Sequence, residues 1–231
     1  MAEPLYGAAV GAARLVFRTL GFRFDLAGTD RLPAVGGAVL AANHVSYLDF
    51  LLVGRAVLDA GRKVRFLAMR EVFEHRLGGP LLRGMGHIPV DRTTAGAGHA
   101  AYQAAVQALR AGELVCVFPE AGISETEELK PFKNGAVRLA AQAGVPLIPL
   151  GLTGGELLWP GSGPVERWTR RLPMVVRVGA PLELAADQDP TEATALLRAR
   201  IEELLAEARA AHRTALASAT GLDTGPAGQR V

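Results

Sequence analysis

From residue 37 onward the apolar positions fall into short runs separated by amphipathic stretches. AVLAAN (38–43), VRFLAM (64–69), HIPVD (87–91), LVCVFP (114–119) and PLIPLGL (146–152) have the length and composition of strands. Between them, YLDFLLVGRAVLD (47–59), AGHAAYQAAVQALRAG (97–112) and FKNGAVRLAAQAG (132–144) place apolar residues at helical spacing. MVVRVGAPLEL (174–184) adds a late strand, and an Ala/Leu/Glu/Arg-rich helix runs from Thr191 to about Leu216. This alternation predicts one α/β domain over residues 1–217, with a mixed, mostly parallel sheet flanked by helices. Residues 218–231, SATGLDTGPAGQRV, carry too little apolar content to fold and are expected to form a disordered tail.

The N-terminal segment has its own pattern. Leu5, Ala8, Ala12, Leu15, Val16 and Leu20 fall on one helical side, with Arg14 and Arg18 four apart on another. Residues 1–21 therefore read as an amphipathic helix facing a membrane surface. Packing of the same stripe on the protein's own core is the alternative, because amphipathicity alone does not separate the two.

Composition narrows the partners. A formal charge of +2 over 231 residues gives no case for nucleic-acid binding. Up to Arg92 there are 12 Lys/Arg against 8 Asp/Glu, so any anionic partner is met by the N-terminal part. The single cysteine, Cys116, lies inside a strand pattern, where it reads as a small buried hydrophobe; no disulfide forms within the chain, which suits a reducing compartment. The first 22 residues lack a basic start and carry two arginines within their apolar part, so no secretory signal is expected. The longest charge-free spans are broken by Pro, Gly, Asn or Gln and fall short of the ~20 apolar residues that cross a bilayer, so no transmembrane helix is expected.

Candidate chemistry begins at NHVSYLD, Asn43 to Asp49. Two residues five apart on a regular helix are separated by about 140° after one revolution, so His44 and Asp49 meet only if the helix starts between them. Ser46 supplies that start: Ser-x-x-Asp is a variant capping box with Ser46 as N-cap and Asp49 as the third helical residue. His44 then hangs from the turn within reach of a carboxylate. One ring nitrogen is oriented and the other is free to take a proton. A structural reading, in which Asp49 caps and His44 fills a turn, fits this stretch equally well on its own.

Other polar clusters follow later strands: HIPVDR ending at Arg92, FPEAGIS around Glu120, and LKPFKNGA around Lys130 and Lys133. In an open α/β sheet the ligand crevice lies beyond the carboxyl ends of the strands, which brings such clusters to one site. The two lysines precede a helix near Asn134, where a cation opposes the helix dipole unless an anion is bound; solvated loop lysines are the alternative. Pro131 is expected to turn Lys130 outward, leaving Lys133 as the better-placed cation. His87 and Asp91 alternate onto one strand face, yet nothing has the ligand spacing of a metal motif, and no metal or cofactor is expected. His75, His99 and His212 read as surface side chains, and Trp159 and Trp168 receive no role.

The ordered set NHVSYLD, GHIPVDR, FPEAGIS and VPLIPLGL resembles the four blocks of the glycerolipid acyltransferases, the family that includes 1-acylglycerol-3-phosphate acyltransferase, over residues 37–152. The resemblance implies acyl transfer from a thioester, acyl-CoA or acyl carrier protein, to a hydroxyl of a lysophospholipid. Most directly that means 1-acylglycerol-3-phosphate giving phosphatidic acid, at the cytoplasmic face of the cell membrane. It makes His44 the catalytic base, Asp49 its orienting acid and Arg92 the acceptor's phosphate ligand, with Glu120 and Gly122 in the block that contacts the acceptor. One departure stands out. The usual Glu-Gly-Thr-Arg is here Glu120-Ala121-Gly122-Ile123, so the arginine is missing and Lys133 or Lys130 becomes the candidate second cation. Two other readings stay open: an acyltransferase for a different lyso-lipid, and a lipid-binding, membrane-associated module without turnover.

Overall fold

The computed structural model describes residues 3–76, 78–91, 97–126, 128–163, 171–184 and 188–220. Its centre follows from the most apolar runs. β2 (Ala38–Ala42) and β6 (Leu147–Thr153) are buried at every position, and β5 (Leu114–Val117) at all but its last, as strands covered on both faces must be. They sit in the middle of a seven-stranded sheet. Its order is β1 (Arg23–Ala27), β7 (Pro173–Val178), β6, β2, β5, β3 (Val64–Met69) and β4 (Ile88–Val90). Every pairing is parallel except β6 with β7, so the sheet is mixed and mostly parallel as the alternation predicts.

Helices cover both faces. On one, α2 (Asp49–Asp59) lays Leu52, Val53, Ala56 and Val57 on Leu40, Cys116 and Ile148. On the other, α5 (Ala97–Arg110), α6 (Gly135–Ala143) and α7 (Pro190–Thr220) cover Val39, Ala41, Val115 and Leu147. The backbone of α7 approaches β6 so closely that a Cβ on Gly151 would stand 2.5 Å from the carbonyl carbon of Leu204; only glycine fits there. Two short helices, α3 (Arg70–Glu74) and α4 (Gly78–Gly84), carry the chain from β3 to β4.

Several boundaries move. α2 begins at Asp49 rather than near Tyr47, and α6 at Gly135 rather than Phe132, because the Lys133 N–H is spent on the Pro119 carbonyl (2.9 Å) in a loop preceding the helix. The terminal helix extends to Thr220, so residues 218–220 of the expected tail are helical; residues 221–231 lie outside the described residues. β1 was not anticipated. Its five residues alternate between exposed and half-buried, too short a pattern to stand out.

Helix α1 (Glu3–Leu20) is held by a different stripe from the one its sequence displays. Tyr6 is buried under Lys63, and Phe17 meets Phe24 edge-on at 4.9 Å. Ala8, Ala12, Leu15 and Val16 are exposed, Leu15 at 63%, and Leu20 is half-buried; the side chain of Leu5 lies outside the described residues. Much of the apolar stripe thus faces outward. Among the described residues no helix is long and apolar enough to cross a membrane.

Candidate active site

β2 hands the chain to α2 through a turn fixed from three directions. Asn43 is fully buried. Its side-chain amide donates to the Leu152 carbonyl (3.0 Å) and accepts from the Leu152 N–H (2.7 Å), extending the β2–β6 pairing by one residue. Asp49, also fully buried, gathers three donors on one oxygen: the N–H groups of Val45 (2.7 Å) and Ser46 (2.9 Å) and Nδ1–H of His44 (2.8 Å). Ser46 Oγ accepts from the Leu48 N–H at 3.0 Å, not from the Asp49 N–H, so of the two reciprocal capping-box bonds only that from the Ser46 N–H to Asp49 forms; Leu48 rather than Ser46 is the N-cap, and Asp49 is the first helical residue rather than the third.

The third direction is the loop after β5. Phe118 stacks on the His44 ring with centroids 4.1 Å apart and planes 16° from parallel. Glu120 accepts from the His44 N–H through Oε1 (2.7 Å) and from the Lys130 N–H through Oε2 (2.8 Å), while Ser124 N–H donates to the His44 carbonyl (2.7 Å). The imidazole is thereby clamped at its backbone, its ring face and Nδ1. Its side chain keeps 19% exposure, and no hydrogen bond among the described residues engages Nε2.

Burial pushes the Asp49 carboxyl up from its ordinary value, opposed by the hydrogen bonds from His44 and the turn amides. Its second oxygen, Oδ1, is buried without a partner among the described residues, facing Gly155. A Cβ on Gly155 would stand 3.0 Å from Cβ and 3.1 Å from Oγ of Ser46. Glu120 is likewise pushed up by burial. The thiol of Cys116, inside β5, is pushed up by burial first and by the Asp49 charge second, which keeps it protonated and unreactive.

His44, Asp49, Glu120, Gly122 and Lys130 come together at the carboxyl ends of β2 and β5. Glu120 spends both carboxyl oxygens on backbone amides, so it holds the loop to the His44 turn. Gly122 faces open space. Lys130 turns inward and its ammonium donates to the Ile123 carbonyl, the reverse of the orientation expected from Pro131, whereas Lys133 is exposed. Ile123 packs on Gly161, so an apolar contact fills the place of the missing arginine. Arg92 lies outside the described residues; its neighbour Asp91 pairs with Arg70 at 3.0 Å. Asp91 is half-buried, while His87 is buried. Its Nδ1 accepts from the Phe66 N–H (3.2 Å), and burial with the nearby Arg65 charge lowers its pKa to about 4.

Other residues of the site escaped sequence reasoning. Trp159, 113 residues from Ser46, accepts from Ser46 Oγ (2.8 Å) and the Tyr47 N–H (3.0 Å) through its carbonyl, and its ring meets Tyr47 at 5.7 Å. The one signal was the Gly154-Gly155 pair, a mark of close backbone approach. Asn43 and Phe118 stand inside NHVSYLD and FPEAGIS, beside residues with more obvious chemistry. Trp168 lies outside the described residues. His212, expected at the surface, is buried in α7, where loss of hydration lowers its pKa. Tyr47, Phe50, Met69 and Trp159 expose apolar surface at the same end of the sheet.

Residues 23–153 match the family described as Acyltransferase. The chain is 29% identical over 181 residues to the 1-acyl-sn-glycerol-3-phosphate acyltransferase of Bacillus subtilis (strain 168), covering 76% of this chain and 84% of that one. It is 29% identical over 143 residues to the chloroplastic 1-acyl-sn-glycerol-3-phosphate acyltransferase BAT2 of Brassica napus, 61% of this chain but only 40% of the plant protein. The crystal structure of the 1-acyl-sn-glycerophosphate (LPA) acyltransferase PlsC from Thermotoga maritima shares the fold, with a TM-score of 0.68 at 22% identity over 86% of this chain and 77% of that one.

Proposed function

The chain belongs to the Acyltransferase family, and from that premise we propose that it acylates the free hydroxyl of 1-acylglycerol-3-phosphate from an acyl thioester, on coenzyme A or acyl carrier protein, to give phosphatidic acid. The observation that carries this reading is the buried Asp49 oxygen holding Nδ1–H of His44 at 2.8 Å, with Nε2 unengaged among the described residues. Nε2 takes the hydroxyl proton as the oxygen attacks the thioester carbonyl. The new C–O bond forms, the C–S bond breaks, and the proton passes from the imidazolium to the leaving thiolate. Such a base contributes about 10²- to 10⁴-fold. No acyl-enzyme is needed, because the thioester is already activated. Arg92 holds the acceptor's phosphate, and Glu120 keeps the loop beside the base.

The reading places the enzyme peripherally on the cytoplasmic face of the membrane. The outward stripe of α1 and the exposed Tyr47, Phe50, Met69 and Trp159 support it. Ile123 packed on Gly161, where the family carries arginine, favours a second reading: the same chemistry on a lyso-lipid with another headgroup. One labelled acyl thioester offered to a panel of lyso-acceptors decides between them, with His44→Ala as control. We expect 1-acylglycerol-3-phosphate to be preferred and the His44→Ala enzyme to lose at least about a hundredfold of turnover while remaining folded. Preference for a neutral headgroup selects the second reading; full turnover by the variant removes His44 as base.

A further inference from the structure

A groove of about 680 Å³ runs between α1 and α2, away from His44. Its floor is aromatic and aliphatic, with Phe17, Phe24 and Leu58, and three arginines line it: Arg14, Arg18 and Arg55. The carboxylate of the groove, Asp59, is already engaged. Its Oδ1 accepts from Arg55 (3.3 Å) and its Oδ2 from the Thr29 hydroxyl (3.1 Å), and Arg55 is further held over the Phe24 ring at 5.8 Å. Arg14 and Arg18 stand four residues apart on α1, exposed and with no carboxylate partner among the described residues. The groove therefore keeps uncompensated positive charge over an apolar floor.

We infer that this groove is a binding site for the phosphate headgroup of an anionic phospholipid, separate from the acceptor site. The inference rests on the membrane reading above. Successive turns of α1 assign its faces: Tyr6 and Phe17 toward the body, Arg14 and Arg18 along one flank, Leu15 and Val16 outward. With the outward face in the acyl region, the flanking guanidinium groups reach headgroup level, where long basic side chains settle. Two forks on adjacent turns suit a phosphodiester, and the aromatic floor lies against its glycerol. Arg55 and Leu58 follow Asp49 on α2 by six and nine residues, roughly 9–14 Å along the helix at ~1.5 Å per residue. A headgroup seated there would set the tilt at which the His44 end meets the membrane.

Sedimentation with vesicles of phosphatidylcholine alone, or doped with phosphatidylglycerol, tests the site. Wild type should prefer the doped vesicles. Arg14→Gln/Arg18→Gln should lose about tenfold or more of that preference, two arginines near an anionic surface being worth about that much. Arg14→Lys/Arg18→Lys, which keeps the charge and loses the forks, and Leu58→Trp, which fills the groove and keeps the arginines, should each lose most of it, with melting temperatures checked for all. If the lysine and tryptophan variants bind as wild type, the arginines are a diffuse basic patch and the site is overturned. If inorganic phosphate displaces wild type from doped vesicles at matched ionic strength, the ligand is free phosphate and the lipid assignment fails. Acyl transfer to a monomeric short-chain lyso-acceptor without vesicles should be unchanged in every variant. Loss there would place the arginines in the reaction and overturn the proposal, whereas a wild type inactive in that assay refutes the acyl-transfer reading instead.

Discussion

Asp49→Asn separates orientation of the base from integrity of the fold. The amide has the shape of the carboxylate; its oxygen can accept the same three N–H groups while its NH₂ takes the buried, unpartnered Oδ1 position beside Gly155. What disappears is the charge that would face the imidazolium if His44 takes the proton as proposed. At 2.8 Å and an effective dielectric of about 20 that attraction is about 6 kcal/mol, an upper limit because the amide keeps a dipole on the ring. Losing half of it, about 3 kcal/mol, slows turnover by about 10²-fold. Stability moves little. Three charge-assisted bonds weaken, but burial already opposes ionisation of this carboxyl, so relief of a buried charge offsets much of the loss. The assay is release of free thiol from the acyl thioester, read with a disulfide reagent in the presence of acceptor, beside a thermal melt. Cys116 is buried and protonated, so the folded enzyme adds no thiol background. Turnover within threefold of wild type, where chemistry limits the rate, would refute the orienting role. A collapse of activity and melting temperature together would show that Asp49 serves the fold alone.

Three further outcomes follow from neighbouring geometry. Ala121 sits in the left-handed region at φ 57°, so Ala121→Gly should stabilise by about 1 kcal/mol and raise the melting temperature by roughly 2–4 °C; a lower melting temperature would contradict it. Gly155→Ala forces a Cβ to 3.0 Å from Ser46 and should reduce turnover more than stability, since the turn carrying His44 must shift; unchanged turnover would show that the turn yields freely. His87 has its pKa lowered to about 4, so it stays neutral in the folded state where the unfolded chain takes up a proton near 6.5. The stability from that difference is present above about pH 6.5 and is lost as pH falls toward 4, about 2 kcal/mol between pH 7 and 5. Urea unfolding of wild type against His87→Gln at both pH values checks this, and equal acid losses would remove His87 as the cause.

The elements of this protein were largely determined by local patterning. β2 and β6 are buried on both faces and so had to be apolar runs, and Ser46 and Asp49 close the turn before α2 through bonds that span only two or three residues. The pairing of His44 with Asp49 was legible for the same reason: its geometry is local once the helix start is placed. Bonds between distant segments were not. Whether Glu120 meets the phosphate or the His44 amide and which carbonyl holds Ser46 depend on loops 76 to 113 residues apart being packed together, and no spacing along the chain encodes that. The N-terminal helix shows the limit most plainly. Its amphipathic stripe was visible in the sequence, but only the body of the protein, by taking Tyr6 and Phe17, decided that Leu15 and Val16 face outward. Periodicity states that a helix has an apolar side; the shape of what packs against it determines which side is left over.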